Sequence, residues 1–493
     1  MGLIKFKLPL TSWSEDDVRQ AYVLGPDLSP TPCDASLRGS ELIIRRSAVE
    51  SGRVVVPWRV EGRGRVLLNT ATLPERFEAY DLLVELARGT LNDVQNQLFA
   101  WQDQIQMPPE LNQLMARARR HFAQAATSRD TATLAQESAS RALRDALEAG
   151  RILTQTYTSQ VLQARRSAGP GLGTRLAVHL DTSSRPHPWW ARIPEGFNAV
   201  RLEAGWRTVA PEAGQFRWEV IDSQLHWARK RHLKISAGPL IDLRYGALPD
   251  WLWLWQGDYE EISSQAIDYV RHTLARYRGR IPTWHLVARP GSNAILDLSE
   301  EDQVRLTARL VQVARTVEPD ARLIVDFDRP WGDWMASGEF QLGPLHLADA
   351  LARADLGLSG IGLEIVPGFV PWGSPLRELF EFSRLLDLYA RIDLPLHISL
   401  AFPSHVAESP SRDLSRIDLR QWPSTPTPEL QRDWTEHWLG LAVAKPFVHT
   451  VCWVEACDAA PRLFPGCGLF RGDGSPQPAF DWICAFRKAM LSR

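Results

Sequence analysis

The feature that most constrains the fold of this 493-residue chain is a strand–helix alternation that begins after Gly173 and continues to the end. Short apolar stretches typical of buried strands alternate with amphipathic stretches typical of helices. Eight such units in about 320 residues fit a closed (β/α)8 barrel, the TIM barrel. The predicted strands span 176–180, 199–202, 234–237, 283–287, 323–325, 360–363, 397–400 and 450–453.

An open, doubly wound sheet is the alternative for this half of the chain. Such sheets often bind nucleotides through a glycine-rich turn between a strand and a helix. No GxGxxG motif follows a predicted strand and no P-loop is present, which favours the barrel.

Two further modules precede the barrel, whose own span is 175–493. Residues 1–75 contain short β-rich runs at 42–44, 53–58 and 65–68, separated by glycines, which predict a small β-sandwich. Residues 76–167 have apolar residues at helical spacing and predict a helical hairpin. A glycine-rich linker at 168–174 then leads into the barrel.

The helical segment needs a surface against which its apolar stripe is buried. The barrel of the same chain or a second subunit can provide that surface. We favour a subunit contact and therefore expect a possible homo-oligomer.

Composition excludes several classes of partner. The net charge of −2 gives no basic field for nucleic acid or for an anionic membrane. No stretch approaches the ~18 apolar residues of a membrane span, and the N-terminus does not read as a signal peptide, so we expect a cytoplasmic protein. The five cysteines have no common zinc spacing. We predict no metal and no cofactor.

Several motifs in the barrel half follow a known order. They are Phe197-Asn198-Ala199-Val200, Pro211-Glu212-Ala213-Gly214-Gln215-Phe216, Leu248-Pro249-Asp250-Trp251, Arg276-Tyr277-Arg278-Gly279-Arg280-Ile281, and Pro476-Gln477-Pro478-Ala479-Phe480. In sequence and order they resemble glycoside hydrolase family 10, the xylanase family. The resemblance covers about residues 175–490 and implies a (β/α)8 barrel that cleaves sugar chains with two glutamates.

The chain departs from that family at the catalytic positions. Arg289 stands where the resemblance places the acid/base glutamate, and Leu400 where it places the nucleophile. A guanidinium stays protonated and is a poor proton donor, and leucine cannot attack an anomeric carbon. Whether the chain is an enzyme therefore stays open.

Polar and aromatic residues still gather at the predicted strand ends, where barrels of this kind carry their sites. We predict ligand binding by Glu203, Trp206, Asp242, Arg289, Asp326, Asp328, His397 and Trp453. The cluster is compatible with an ion-pair network around Arg289, with a pocket that binds a glycan without cutting it, and with new chemistry. For the last, Glu364 and Glu455 are the weak catalytic candidates, as a relocated acid and base.

Three functions follow from these patterns. The leading one is a carbohydrate-associated pseudoenzyme that binds an oligosaccharide, a polysaccharide or a partner. The second is a divergent O-glycosyl hydrolase with relocated carboxylates. The third is a structural subunit assembled through the helical segment.

Overall fold

The computed structural model describes residues 2–9, 13–47, 50–128, 131–167, 172–183, 185–338, 340–408, 411, 413–459 and 463–491. The predicted linker 168–174 lies mostly outside these residues. The described chain comprises a β-sandwich, a helical segment and a (β/α)8 barrel, as the sequence predicts.

The sandwich consists of two four-stranded sheets that share one apolar core. Ile4 and Ile44 enter this core from one sheet, and Val54 and Val56 from the other. Its strands are β1 (Gly2–Lys7), β2 (Tyr22–Leu24), β3 (Pro30–Thr31), β4 (Cys33–Arg38), β5 (Glu41–Arg46), β6 (Arg53–Val60), β7 (Gly64–Asn69) and β8 (Tyr80–Asp81), with helix α1 (Glu15–Arg19) after β1.

Three helices follow the sandwich: α2 (Leu82–Trp101), α3 (Pro109–Thr127) and α4 (Ala132–Ser167). The side chain of Asp81 caps α2, and a proline opens α3. The apolar stripe of α4 is buried in the cores that the helices share with the barrel and with the sandwich. The surface that this stripe needs is therefore available within the chain, and a homo-oligomer stays a prediction.

The eight predicted barrel strands are all present, and the sheet closes because the third strand also pairs with the fourth. In chain order the barrel strands are β9 (Arg175–His179), β10 (Ala199–Leu202), β11 (Lys234–Ala237), β13 (Thr283–Ala288), β14 (Arg322–Asp328), β15 (Gly360–Ile365), β17 (Leu396–Leu400) and β19 (Val448–Trp453). The short β12 (Ile241–Asp242) continues the third strand beside β13. In the loops, β16 (Phe369–Val370) pairs with β18 (Arg416–Ile417).

Helices cover the outside of the barrel. They are α5 (Ile193–Gly196), α6 (Trp206–Val209), α7 (Glu219–Lys230), α8 (Tyr259–Tyr277), α9 (Glu300–Val317), α10 (Pro344–Arg353), α11 (Leu379–Tyr389), α12 (Pro428–Ala444) and α13 (Pro478–Met490), with 3₁₀ turns at Pro188–Arg192, Asp250–Trp255, Asp333–Ser337 and Ala390–Ile392. None of the helices within the described ranges has both the length and the apolar character that crossing a bilayer requires.

The sandwich packs on loops that leave the carboxyl ends of the barrel strands. The backbone N–H of Leu67 donates to Leu376 O over 3.0 Å, and that of Arg65 donates to Gln421 O over 2.7 Å. Arg377 donates to the hydroxyl of Tyr22 over 2.8 Å. Backbone pairing and buried polar contacts therefore both join the sandwich to the barrel.

Candidate functional site

A small cavity of about 50 Å³ lies among the carboxyl ends of the barrel strands. We call it the barrel cavity. It is lined by His179, Arg201, Pro239, Asp242, Arg244, Ala288, Arg289, Asp326, Glu364, Ser399, Val454, Glu455, Leu463 and Phe464. The residues directly after parallel barrel strands meet at this end, which explains why side chains so distant in sequence share one wall.

Arg289 follows the fourth barrel strand and is 4% exposed. Its Nη1 donates to Asp242 Oδ2 over 2.9 Å, and its Nη2 donates to Glu364 Oε1. Burial lowers the pKa of Arg289, but Asp242 and Glu364 outweigh it, so the net pKa is raised and the side chain stays charged. Arg289 therefore holds two carboxylates, one from the extension of the third strand and one from the sixth strand, in an ion-pair network.

The backbone of Arg289 is unusual. Its φ is +63°, in the left-handed region that side chains other than glycine rarely adopt, and its N–H donates to Asp326 O over 2.9 Å. Residues held in this region cluster at functional sites, where the surrounding structure compensates the strain.

The seventh strand, β17, contributes Ser399 to the cavity, and Leu400 is completely buried in the apolar core. The side chains of a strand alternate between its two faces, so adjacent residues cannot both face the cavity. Ser399 thus lines the cavity and Leu400 does not, and the alignment of Leu400 with the family's nucleophile stays a prediction. Neither residue carries a carboxyl group.

Asp326, which lines the cavity, has buried histidine neighbours. Both carboxylate oxygens of Asp326 lie within 2.9 Å of His285 Nδ1, and the ring of His397 meets that of His285 edge-on at 5.8 Å. Burial raises the pKa of Asp326, but His285 and Arg201 outweigh it and the net pKa is lowered. Burial and the neighbouring charge of Arg201 lower the pKa of His285, and burial lowers that of His397 further.

A glycine makes room for this arrangement. A Cβ at Gly362 would lie 1.7 Å from Asp326 Oδ1, closer than any real contact. The absence of a side chain on this residue of the sixth strand therefore allows the Asp326 carboxylate to occupy the barrel interior.

The two catalytic candidates both line the cavity but have different surroundings. Burial raises the pKa of Glu364, with Asp328 and Asp242 adding to the effect and Arg289 opposing it. Glu455 Oε1 accepts hydrogen bonds from the backbone N–H groups of Leu463 (2.7 Å) and Phe464 (2.8 Å).

Of the eight predicted binding residues, Asp242, Arg289 and Asp326 line the cavity, and the others do not. Glu203 accepts from the backbone of Gly205, Trp206 stacks on Tyr269, Asp328 accepts from Ser292 and Arg329, His397 lies beneath His285, and Trp453 donates to Cys467 O. These contacts give each of the five a packing or hydrogen-bonding role.

Sequence reasoning did not assign Arg201, His179 or Ser399 to the site. Each lies within a predicted strand, so an inward-facing position follows from the alternation of the strand. The alternation does not predict how deep in the barrel the packed interior ends and the cavity begins. Within the described ranges, no three His, Cys, Asp or Glu side chains are grouped so that they could hold a metal ion.

Comparison with known proteins supports the fold. No family model matches the chain. Among solved structures, a GH10 endoxylanase retrieved from a sugarcane soil metagenome is 17% identical, with a TM-score of 0.50, covering 64% of this chain and 97% of that one. Native xylanase 10B from Thermotoga maritima is 15% identical, with a TM-score of 0.49, covering 67% of this chain and 97% of that one. At such identities the likeness to the metagenomic enzyme establishes a barrel of the family 10 type in fold alone.

Proposed function

We propose that the protein binds a carbohydrate in the barrel cavity and does not carry out xylanase-type hydrolysis. The main support for this proposal is that Arg289, at the end of the fourth strand, forms ion pairs with Asp242 and Glu364. The position that the family resemblance gives to a proton donor is thus occupied by a permanently charged guanidinium, itself held by two carboxylates.

The seventh strand supports the same conclusion. A retaining glycosidase needs a second carboxyl group about 5–5.5 Å from the first, across the scissile bond. On this strand, Ser399 has a hydroxyl group and lines the cavity, and Leu400 has a buried aliphatic side chain. The ends of the fourth and seventh strands therefore provide neither of the two carboxyl groups that double displacement requires.

The cavity itself favours binding. Its lining combines charged groups with Pro239, Val454, Leu463 and Phe464. Sugars present both hydroxyl groups and apolar ring faces, so such a mixed lining suits them.

The test is thermal denaturation of the full chain with xylo-, gluco-, galacto- and manno-oligosaccharides, together with product analysis of the same mixtures. We expect at least one glycan to raise the melting temperature, since a ligand at about 100 times its Kd stabilises the folded state by about 2.7 kcal/mol. We expect no released sugar. Hydrolysis, or the absence of any shift across the panel, would contradict the proposal.

The different surroundings of Glu364 and Glu455 favour a second candidate function, a divergent O-glycosyl hydrolase. Acid–base catalysis uses two carboxyl groups in different environments, and here burial raises the pKa of Glu364 while Glu455 accepts two backbone hydrogen bonds. If any glycoside is turned over, Glu364→Gln and Glu455→Gln should each abolish the turnover. Glu301→Gln, on an exposed position of α9, is the control and should leave it unchanged.

A further inference from the structure

Arg201 carries hydrogen-bond donors that the described protein does not satisfy. The side chain lies on the second barrel strand, is 4% exposed and lines the barrel cavity. Nη1 donates to Ser399 Oγ over 3.3 Å, whereas Nε and Nη2 have no hydrogen-bond partner among the described residues. A buried guanidinium left in this state costs folding free energy.

The two unsatisfied nitrogens form one edge of the guanidinium. Nε–H and one N–H of Nη2 point in parallel from this edge, and the planar group holds them in a fixed fork. Such a fork matches two oxygen atoms on neighbouring positions of a ligand. A carboxylate and a pair of adjacent hydroxyl groups both meet that description.

The other walls of the cavity decide between these two ligands. Asp242 Oδ1 is a buried acceptor without a hydrogen-bond partner, and Arg289 Nε is a buried donor without one. Hydroxyl groups can accept from the guanidinium donors and donate to the Asp242 oxygen. A carboxylate can only accept, so it would leave Asp242 Oδ1 unsatisfied.

Charge leads to the same choice. The described lining carries guanidinium groups at Arg201, Arg244 and Arg289, and carboxyl groups at Asp242, Asp326, Glu364 and Glu455. Arg244 and Arg289 are already engaged with Asp242 and Glu364. A further negative charge would therefore enter among carboxylates, whereas a neutral polyol would not meet that repulsion.

We infer that Arg201 anchors the bound sugar, with its Nε–Nη2 edge donating to two adjacent hydroxyl groups of a neutral pyranose ring. This inference rests on the proposed function, because it assigns the ligand class and the specificity-determining residue of the same cavity. It also explains why a buried arginine lacks a full set of partners: the ligand supplies them.

The experiment is calorimetric titration of the full chain with methyl β-D-xylopyranoside, methyl β-D-glucopyranoside, methyl β-D-galactopyranoside, methyl α-D-mannopyranoside, D-glucuronate and D-galacturonate. We expect a neutral glycoside to bind more tightly than either uronate. Removing one of the two hydroxyl groups from the best ligand should weaken binding about 10- to 100-fold, since a buried donor is then left unpaired.

Two substitutions separate ligand binding from a structural role. Arg201→Lys keeps the charge and loses the fork, so it should bind the complete and the deoxy sugar almost equally. Arg201→Met removes all the guanidinium donors, so sugar binding should be lost. The control is Arg377→Lys, which changes another buried arginine outside the barrel cavity and should leave sugar affinity unchanged.

The outcomes are distinguishable. If the wild type binds none of these sugars and no oligosaccharide, the proposed function fails and the inference with it. If the wild type binds sugar and Arg201→Lys binds it with the same affinity and the same preference, only the inference fails. Tighter binding of a uronate would also overturn it.

Discussion

Arg289 and Asp242 form a buried hydrogen-bonded ion pair, with Nη1 and Oδ2 2.9 Å apart. The pair joins the fourth barrel strand to the extension of the third, and Glu364 attaches the sixth strand to the same guanidinium. Arg289, which the family resemblance aligns with a proton donor, is thus the centre of the polar network at the barrel mouth.

Arg289→Met should strongly destabilise the protein. The substitution leaves Glu364 and part of Asp242 as buried charges without their partner, and breaking a buried pair in this way costs about 3–5 kcal/mol. The measurement is the free energy of unfolding in urea. Arg217→Met, which removes an exposed ion pair with Glu212, is the control and should have little effect.

The double variant Arg289→Met/Glu364→Gln tests the reason for that loss. Because the second change removes the unpaired charge, it should restore part of the stability. A double variant that is no more stable than Arg289→Met would show that packing, and not charge, causes the effect.

Acidification below about pH 6.5 should destabilise the protein. Burial lowers the pKa of both His285 and His397, so the folded chain keeps them neutral where the unfolded chain takes up protons. The unfolded state then binds more protons, and stability falls as the pH falls, by at most about 1.4 kcal/mol per pH unit for each histidine. Urea denaturation between about pH 5.5 and 7.5, around the ordinary histidine pKa, measures the slope.

His397→Gln identifies one source of this slope. The variant should lose part of the pH dependence in that range, because one of the two buried histidines is gone. His226→Gln, at an exposed position of α7, removes a histidine elsewhere and should keep the wild-type slope. An unchanged slope in His397→Gln would mean that other groups cause the acid sensitivity.

The barrel was predictable because strand and helix periods alternate eight times, and each predicted strand is present. The sandwich was predictable from three of its strands, β5, β6 and β7. At the site, Asp242, Arg289, Asp326, Glu364 and Glu455 were predictable because they lie at or just after strand ends. Those positions face the mouth of any barrel of this kind.

Other parts of the site depended on three-dimensional packing. Trp206 is a predicted ligand-binding residue, and its ring stacks on that of Tyr269 with the ring centroids 5.4 Å apart. Arg201 lies at an inward-facing position of a predicted strand, and residues at such positions are ordinarily apolar or ion-paired. Only the positions of its neighbours reveal that two of its nitrogens lack partners.

Gly362→Ala should destabilise the barrel interior. The added Cβ would meet Asp326 Oδ1 at 1.7 Å and force the carboxylate away from His285. Overpacking of this kind costs about 1–3 kcal/mol. Gly472→Ala is the matched control, because no atom lies within 4 Å of the added Cβ. Equal unfolding free energies for the two variants would contradict the assigned role of Gly362.

Gly64→Ala should weaken the attachment of the sandwich to the barrel. Gly64 opens β7 with a φ of +83°, and a Cβ there would lie 2.1 Å from Gln421 O, a backbone atom of the barrel that cannot move independently of its loop. Gly62 has a similar φ of +72° but no atom within 4 Å of an added Cβ, so Gly62→Ala carries the backbone strain alone. The difference between the two variants therefore isolates the contact between the modules.

We expect Gly64→Ala to melt at a lower temperature than Gly62→Ala and to be cleaved faster by trypsin in the sandwich, because a loosened module exposes its backbone. Identical melting and cleavage would mean that the close approach of Gly64 to Gln421 does not hold the two modules together.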